Sequence, residues 1–305
     1  FTQESRDVLV DALLEQNKDV YLSEKSRANI DSLKNDNTFT VTTGHQLNLL
    51  TGPLYSIYKI IQVLNWAERM KEVYPGHEFV PVFWMASEDH DFEEINHVNL
   101  FGDKIEWVKK NQESFIAGKI RFQNSEEFEA KVLEKFSNEE LKTKVENLLN
   151  MYKGQELGVA SRKLVNELFG DYGLVIIDGD DISLKKLFSS VIEEELGRQV
   201  VFDSVNLTNE RLQSKNYHNQ VFVRECNLFY IKNNKERYRI VRTEEGFLIE
   251  GEVYSLNELL EILNKNPERF SPNALLRPVY QETVLPNLAY FGGGGEIAYW
   301  LELKD

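Results

Sequence analysis

The sequence contains a single cysteine, Cys226, among its 305 residues. One thiol excludes an internal disulfide bond and fits the reducing environment of the cytoplasm. Cys226 lies in the apolar run VFVRECNLFYI, where a thiol is more often a small buried side chain than a nucleophile. We therefore interpret Cys226 as buried and inert, and we expect a cytoplasmic protein.

Basic residues and long apolar runs are also scarce. The chain has 35 Lys and Arg against 50 Asp and Glu, which gives a formal net charge of −15. An acidic chain without a basic stripe is a poor partner for nucleic acid. The longest apolar run, near residues 79–86, is far shorter than the roughly 20 residues that cross a bilayer. We therefore expect small molecules as partners, and neither nucleic acid nor a membrane.

A strand–helix–strand unit is predicted between residues 39 and 85. FTVT (39–42) and FVPVFWM (79–85) have the β-branched and apolar residues typical of buried strands. Pro53 fits the first turn of a helix between them. The apolar face of that helix is formed at helical spacing by Leu54, Ile57, Tyr58, Ile61 and Leu64, with Ile60 and Val63 widening it. This unit indicates an α/β fold with a parallel sheet.

Two further strands are predicted to join this core. LVIID (174–178) is continuously apolar up to its last residue, and LAYF (288–291) precedes a run of glycines. Residues 125–170 keep a helical period and are interpreted as packing helices of the core.

The apolar pattern changes to a period of two after residue 200. It predicts a small antiparallel meander that includes a strand at 221–223. We therefore divide the chain into a core at 1–199, an inserted α+β lobe at 200–270 and a return to the core at 271–305.

The first predicted strand ends in Gly44, His45 and Gln46. In open α/β sheets, ligands bind beyond the carboxyl ends of the strands, so we expect the strand exits to share one edge. Gly44 lets a ligand approach the backbone, and N–H groups that open a helix favour anions. His45 can stabilise a negative charge there, with Gly44 and Gln46 beside the substrate. The alternative is a capping or buried histidine.

The second strand runs into a dense acidic segment at residues 88–94. Acidic residues favour helix N-termini, which explains the last two acids of the segment. A strand this apolar that ends directly in acids is typical of carboxyl groups with a function. We assign amine recognition to Glu88, Asp89 or Asp91, and proton transfer to His90.

A metal site is the competing interpretation of the same segment. His90 and His97, which follows at helical spacing, could then bind a metal together with the carboxylates. No HExxH or similarly spaced pair supports this interpretation, and we assign no metal ligands.

Two further groups of residues near the end of the chain are candidates for substrate binding. Arg277 and Gln281 are four residues apart. The guanidinium group of an arginine can bind a carboxylate through two hydrogen bonds, so the pair could hold a substrate carboxylate. The alternative is a structural salt bridge. In the run of four glycines, Gly293 and Gly294 are predicted to form a backbone cradle, with Glu296 at a helix start. The run is not a P-loop, since no Lys-Ser/Thr pair follows.

Three long segments resemble the family of bacillithiol-biosynthesis enzymes called BshC. They are TTGHQLNLLTGPLY (42–55), VPVFWMASEDHDFEEINHV (80–98) and RPVYQETVLPNLAYFGGGGEIAYW (277–300). The resemblance extends along most of the chain and is weak in its polar middle. Many relatives have a proline inside the glycine run, so the cradle is less rigid here.

The resemblance implies both a fold and an activity. Family members add cysteine to glucosaminyl-malate, the last step of bacillithiol biosynthesis. Their core is Rossmann-like and similar to nucleotidyltransferases and class I aminoacyl-tRNA synthetases, in which a His-containing loop after the first strand supports the charge-stabilising role given to His45. Full members are longer, so we expect this chain to lack a leader and a C-terminal coiled coil, and the full-length protein to be a candidate homodimer.

The leading interpretation is therefore a cysteine ligase with cysteine and glucosaminyl-malate as substrates. The cofactor is unassigned, and ATP or another nucleotide is left open. Two alternatives stay open: a metal-dependent hydrolase that uses the acidic segment, and a module that binds a nucleotide or sugar acid without chemistry.

Overall fold

The computed structural model describes residues 1–109 and 115–304. The helices are α1 (Gln3–Gln16), α2 (Glu24–Ser32), α3 (Leu54–Val73), α4 (Phe92–Ile95), α5 (Glu126–Leu133), α6 (Glu139–Asn150), α7 (Leu157–Phe169), α8 (Ile182–Arg198), α9 (Val200–Gln213), α10 (Leu256–Lys265), α11 (Leu276–Val284) and α12 (Gly294–Trp300). The strands are β1 (Thr38–His45), β2 (Glu78–Met85), β3 (His97–Leu100), β4 (Asp103–Glu106), β5 (Val175–Asp178), β6 (Leu228–Lys232), β7 (Glu236–Arg239), β8 (Val241–Thr243), β9 (Gly246–Ile249), β10 (Glu252–Tyr254), β11 (Phe270–Pro272) and β12 (Asn287–Tyr290).

The described residues form two compact units. The sheet unit contains Leu13–Gly179 and Leu288–Phe291, and the second unit contains Phe1–Ala12, Asp180–Asn287 and Gly292–Asp305. The division of the chain into a core, an inserted lobe and a return segment stays a prediction.

The sheet unit is built on a four-stranded sheet with the order β12-β1-β2-β5. β1 pairs with β2 and β2 with β5, both in parallel. All seven residues after Glu78 in β2 are buried, because the strand is covered on both faces. The predicted α/β class is confirmed, and so are the four strands predicted for this sheet.

The buried face of α3 agrees only in part with the predicted apolar face. Ile60 and Val63 are buried, and Ile57 and Leu64 are partly buried against the core. Leu54 and Tyr58 are 59% and 61% exposed, and Ile61 is 39% exposed. The side chains that α3 buries are Ser56, Lys59, Ile60, Val63 and Ala67. Apolar side chains lie on both the buried and the exposed sides of α3, so the apolar pattern alone could not identify every residue that faces β1 and β2. Neither α3 nor any other helix in the described ranges is long and apolar enough to cross a membrane.

One continuous hydrophobic cluster fills the sheet unit beside α7. Trp107, Phe122 and Tyr152 are among its largest fully buried side chains. The predicted helical segment at 125–170 contains α5, α6 and α7. Asn138 is the N-cap of α6, where its side chain accepts the Leu141 N–H.

The second unit contains two small antiparallel sheets, with the orders β11-β6-β7 and β10-β9-β8. Asn233 and Asn234 both have positive φ and form the turn between β6 and β7. Two expectations were wrong. Residues Val200–Gln213 form α9, in which Val205, Thr208 and Asn209 are buried at helical spacing. Residues 221–223 form no strand, since they have no paired neighbour.

Candidate active site

The carboxyl ends of three parallel strands meet at one edge of the sheet. In the paired registers His45 lies beside Met85, and Met85 beside Asp178. The predicted convergence of these exits is therefore confirmed for β1, β2 and β5. At the other side of β1, the Phe291 N–H donates to the Thr42 carbonyl at 2.8 Å.

Gly44 stands where a side chain would fit only tightly against Trp84 and Tyr290. A Cβ there would lie 3.3 Å from the Trp84 carbonyl oxygen and 3.3 Å from the Tyr290 hydroxyl. Glycine therefore has a packing reason here, in addition to the binding role predicted for it. The next residue, His45, is half-buried, and its ring packs edge-on against Tyr55 with 5.3 Å between ring centroids.

Lys59 lies beneath this loop and was not predicted. Its side chain is 9% exposed, and Nζ donates to the Gly44 carbonyl oxygen at 2.6 Å. The lysine fixes the backbone immediately before His45 and brings a positive charge to the strand end. The sequence could have indicated this role through helical spacing. Lys59 lies on the same face of α3 as Ser56 and Val63, and a lysine on a buried face requires a partner.

A small cavity lies behind His45. Its volume of about 20 Å³ is bounded by Ser56, Tyr152 and Ser161, among other residues. Burial raises the pKa of the Tyr152 hydroxyl to about 12, against a smaller opposing effect from hydrogen bonds. The volume holds about one water molecule. The cavity is therefore too small for any of the expected substrates, which need the open side of the strand ends.

Gln46 connects the two loops that carry the predicted site residues. Its side-chain amide Nε2 donates to Asp89 Oδ2 at 2.7 Å and to Glu94 Oε2 at 2.6 Å. The other oxygen, Asp89 Oδ1, accepts the His90 N–H at 2.7 Å and the Asp91 N–H at 3.4 Å. Asp89 thus uses most of its hydrogen-bonding capacity to shape the loop.

The remaining members of the acidic segment lie around Asp89. His90 Nδ1 is 3.8 Å from Asp89 Oδ1, and both side chains are about one-third exposed. Glu88 is half-buried and Asp91 is exposed. The structure therefore brings Gln46, Asp89 and His90 together.

The backbone of this segment is held from the opposite side by the turn at Ala117–Lys119. The Ala117 N–H donates to the Asp89 carbonyl at 2.5 Å, and the Gly118 N–H to the Ser87 carbonyl at 2.7 Å. A Cβ on Gly118 would lie 2.9 Å from the Ser87 Cβ, so only glycine allows this approach. These backbone contacts support the loop in addition to the hydrogen bonds that the Asp89 side chain accepts.

A second polar network, also not predicted in detail, closes the edge at Asp178. Ser87 Oγ donates to Asp178 Oδ1, and Arg162 Nη2 lies 3.5 Å from Asp178 Oδ2. Gln16 accepts the Asp178 N–H at 2.9 Å and donates to its carbonyl at 3.0 Å. Arg162 is 7% exposed, so this ion pair is well shielded from water. The sequence showed the polar end of the strand LVIID but not its partners, of which Ser87 and Gln16 are 91 and 162 positions away.

Arg277 and Gln281 belong to α11 in the second unit. Arg277 Nη1 donates to Gln281 Oε1 at 3.0 Å, and Gln281 Nε2 donates to Glu282 Oε1 at 3.0 Å. Part of Glu282 is exposed, yet burial of its carboxyl group raises its pKa, against the opposing effect of hydrogen bonds from Asn287 and Gln281. The predicted Arg277–Gln281 pair is thus a direct contact.

The glycine run opens α12 in the same unit. The Glu296 carboxylate accepts the Gly293 N–H at 2.7 Å, so Glu296 caps this helix. A Cβ on Gly294 would meet nothing within 4 Å, which leaves its backbone accessible. The cradle role of Gly293 and Gly294 stays a prediction.

The metal interpretation depended on His97 following on a helix, and this expectation was wrong. α4 ends at Ile95, and His97 is the first residue of β3. In the part of the chain that the structure describes, no group of three or more His, Cys, Asp or Glu side chains is arranged to hold a metal ion. Cys226 is buried as expected, and burial raises its thiol pKa to about 12, which keeps it protonated at neutral pH.

A parallel sheet with polar loops at its carboxyl edge defines an α/β protein of the Rossmann-like class. Residues 1–305 match the family model described as "Bacillithiol biosynthesis BshC, N-terminal Rossmann-like domain". The chain therefore belongs to the BshC family, and the resemblance noted from its motifs is confirmed.

Individual relatives agree with this assignment. A Flavobacterium johnsoniae protein named "Putative cysteine ligase BshC" is 45% identical over 309 residues, which cover 100% of this chain and 58% of that protein. Proteins of the same name from Flavobacterium psychrophilum and Chlorobaculum tepidum are 45% and 34% identical, and the matches cover 99% and 98% of this chain. The chain thus spans little more than half the length of these relatives, 56% and 55% in the last two cases.

Proposed function

We propose that this chain carries the Rossmann-like part of a ligase that joins the carboxyl group of cysteine to the amine of glucosaminyl-malate, the last step of bacillithiol biosynthesis. The proposal rests on the family and on the names of its members. The single structural observation that supports it is the joined pair of loops at the sheet edge, in which Gln46 links the His45 loop to Asp89 and His90.

The residue roles follow from what amide formation requires. The developing negative charge on the activated carboxyl group or its leaving group needs donors, and His45 supplies one at the end of β1. The attacking amine must be bound and must lose a proton as the C–N bond forms. Glu88 and Asp91 would bind the amine, and His90 would accept the proton.

Asp89 and Gln46 have a supporting role in this proposal. Because Asp89 accepts three hydrogen bonds within the protein, it positions His90 and holds the acidic loop against Gln46. Lys59 does the same for the His45 loop through the Gly44 carbonyl. Arg277 and Gln281 would bind a malate carboxylate, and Gly293 and Gly294 would cradle an anion.

Amide formation in water is uphill, so the carboxyl group needs activation. An adenylate of cysteine is the activation that synthetase-like proteins use, and we propose ATP as the first cosubstrate to test. The experiment is mass spectrometry of the products from cysteine and glucosaminyl-malate, with and without ATP, using the protein at its full natural length. A new mass that equals both substrates minus water supports the ligase. Substrate hydrolysis, or binding without turnover, would contradict it.

A further inference from the structure

The second unit contains a cavity of about 220 Å³ whose wall includes Arg224, Arg239 and Arg242. Among the described residues, Glu225 is the one acidic residue in that wall. We call this site the arginine cavity. In a protein with a formal net charge of −15, three guanidinium groups around one cavity are a local reversal of the overall charge.

The backbone that presents these arginines is firmly held. Arg239 ends β7 and Arg242 lies in β8, while Ile240 between them is 1% exposed and fixes the corner in the core. Arg224 is held by Asn227, whose Nδ2 donates to the Arg224 carbonyl at 2.7 Å. Asn227 is itself fully buried and donates to the buried Glu195 carboxylate at 2.9 Å.

Each guanidinium group of the arginine cavity stacks near a phenylalanine ring. The distances from the guanidinium carbon to the ring centroid are 5.0 Å for Arg224 and Phe222, 4.8 Å for Arg239 and Phe229, and 4.8 Å for Arg242 and Phe247. A ring against one face restricts the planar group and leaves its N–H edges to bind an oxyanion. The arginines are therefore oriented by apolar contacts and not by acids.

No carboxylate of the described residues forms an ion pair with Arg224, Arg239 or Arg242. Arg239 is exposed overall, yet partial burial of its guanidinium group lowers its pKa, and the positive charge of Arg224 lowers it further. Arg242 Nη2 donates to the Leu196 carbonyl, and its Nε is buried without a hydrogen-bond partner. The cavity thus holds positive charges that repel one another, and a bound anion would relieve this repulsion.

We propose that the arginine cavity binds a phosphate group. A guanidinium fork matches two phosphate oxygens, and a phosphate dianion has the oxygens and the charge to engage more than one fork, whereas a carboxylate is satisfied by one. The volume of about 220 Å³ is below the roughly 300 Å³ at which pockets begin to enclose whole drug-sized ligands. The occupant is therefore a phosphate or diphosphate, either free or as the charged end of a larger molecule.

The test is calorimetric titration at constant ionic strength with orthophosphate, diphosphate and glycerol phosphate, using the protein at its full natural length. Arg239→Gln and Arg224→Gln should each weaken phosphate binding roughly tenfold or more, because each removes charge-assisted hydrogen bonds. Arg27→Gln is the matched control, since Arg27 is an exposed arginine of the sheet unit that pairs with Asp31 at 3.1 Å. It should bind phosphate as the natural protein does.

The three ligands distinguish the source of the phosphate. Binding of glycerol phosphate indicates the end of a larger molecule, and binding of the inorganic ions alone indicates free phosphate or diphosphate; both results support the site. Equal affinity in the natural protein and in both cavity variants overturns the proposal. The absence of phosphate binding also overturns the proposal, even if a glutamate-rich peptide binds to the arginines instead. Circular dichroism checks the fold of each variant, and either variant alone decides the question.

Discussion

The acidic loop at the end of β2 and the arginine cavity both concentrate charged side chains, but they differ in how far the protein itself pairs those charges. In the acidic loop, Asp89 accepts three hydrogen bonds, and Gln46 bridges it to Glu94. In the arginine cavity, Arg224 and Arg239 line the same wall without a carboxylate partner among the described residues. The first arrangement fixes a geometry before any ligand arrives. The second leaves charge available for a ligand.

The largest effect on turnover is expected at His45, whose loop is linked to the acidic loop by Gln46. His45→Ala should lower turnover roughly 10²–10³-fold, because it removes a donor to developing negative charge. The free energy of unfolding should change by less than about 1 kcal/mol, since the ring is only half-buried and its contact with Tyr55 is edge-on. Turnover by mass spectrometry and chemical denaturation measure the two quantities.

His77→Ala is the control for this variant. His77 is an exposed histidine that also packs on an aromatic ring, Phe39, at 5.9 Å, and it precedes the opposite end of β2. It should leave turnover unchanged. A loss of stability in His45→Ala that accounts for the loss of turnover would make His45 a structural residue.

Lys59→Met should lower the free energy of unfolding by about 1–3 kcal/mol, because the Gly44 carbonyl loses a buried charged donor. Turnover should fall as well, since the backbone before His45 is released. Lys71→Met on the same helix is the matched control: Lys71 forms a half-exposed ion pair with Glu78 at 3.1 Å, and such pairs contribute about 0–1 kcal/mol. Equal effects of the two variants in urea denaturation would contradict the role given to Lys59.

Gln46→Glu should cost about 1 kcal/mol at neutral pH, because it replaces a donor to two carboxylates with a third carboxylate. The loss should shrink as the pH falls towards about 4, where protonation of a carboxyl group restores a donor. Gln46→Ala removes the donor without adding charge and should show a weaker pH dependence. Thermal unfolding across this pH range makes the comparison, and identical pH profiles would refute it.

The smallest effect, with the opposite sign, is expected in the arginine cavity. Without phosphate, Arg239→Gln should raise the free energy of unfolding by no more than a few tenths of a kcal/mol at low salt. It removes desolvation of the guanidinium group and repulsion with Arg224, and solvent screens most of that repulsion at this exposed residue. The gain should disappear at 1 M salt, where the screening length is about 3 Å. Lys59→Met and Arg239→Gln each remove one positive charge. If both variants were destabilised, the distinction between a charge that is paired within the protein and a charge that is left for a ligand would be wrong.

The sheet and its polar edge could be predicted from sequence because their signals are local. An apolar run such as residues 79–85, followed directly by acids, identifies both a buried strand and the loop after it. The family motifs cover the same residues. By contrast, the contact between Gln16 and Asp178 could not be predicted from local pattern, because the two residues are 162 positions apart and meet only in the folded protein.

Part of the buried face of α3 and the arginine cavity were missed for a related reason. Apolar side chains lie on both the buried and the exposed sides of α3, so the apolar pattern did not reveal that Ser56 and Lys59 are buried. Arg239 and Arg242 appear as ordinary solvent-facing residues of a period-two pattern. Their convergence with Arg224 requires the corner between β7 and β8, and no local spacing encodes that corner.

The pairing of β12 with β1 has a consequence for folding during synthesis, because β12 is made long after β1. Thr43 after the middle of β1 donates to the Phe291 carbonyl, 248 positions later in the chain. At about 5–20 residues per second, a ribosome needs roughly 10–50 s to synthesise the intervening segment. During that interval β1 has one unpaired edge, which is a template for aggregation. The nascent chain should therefore depend on chaperones most strongly just before residue 288 emerges.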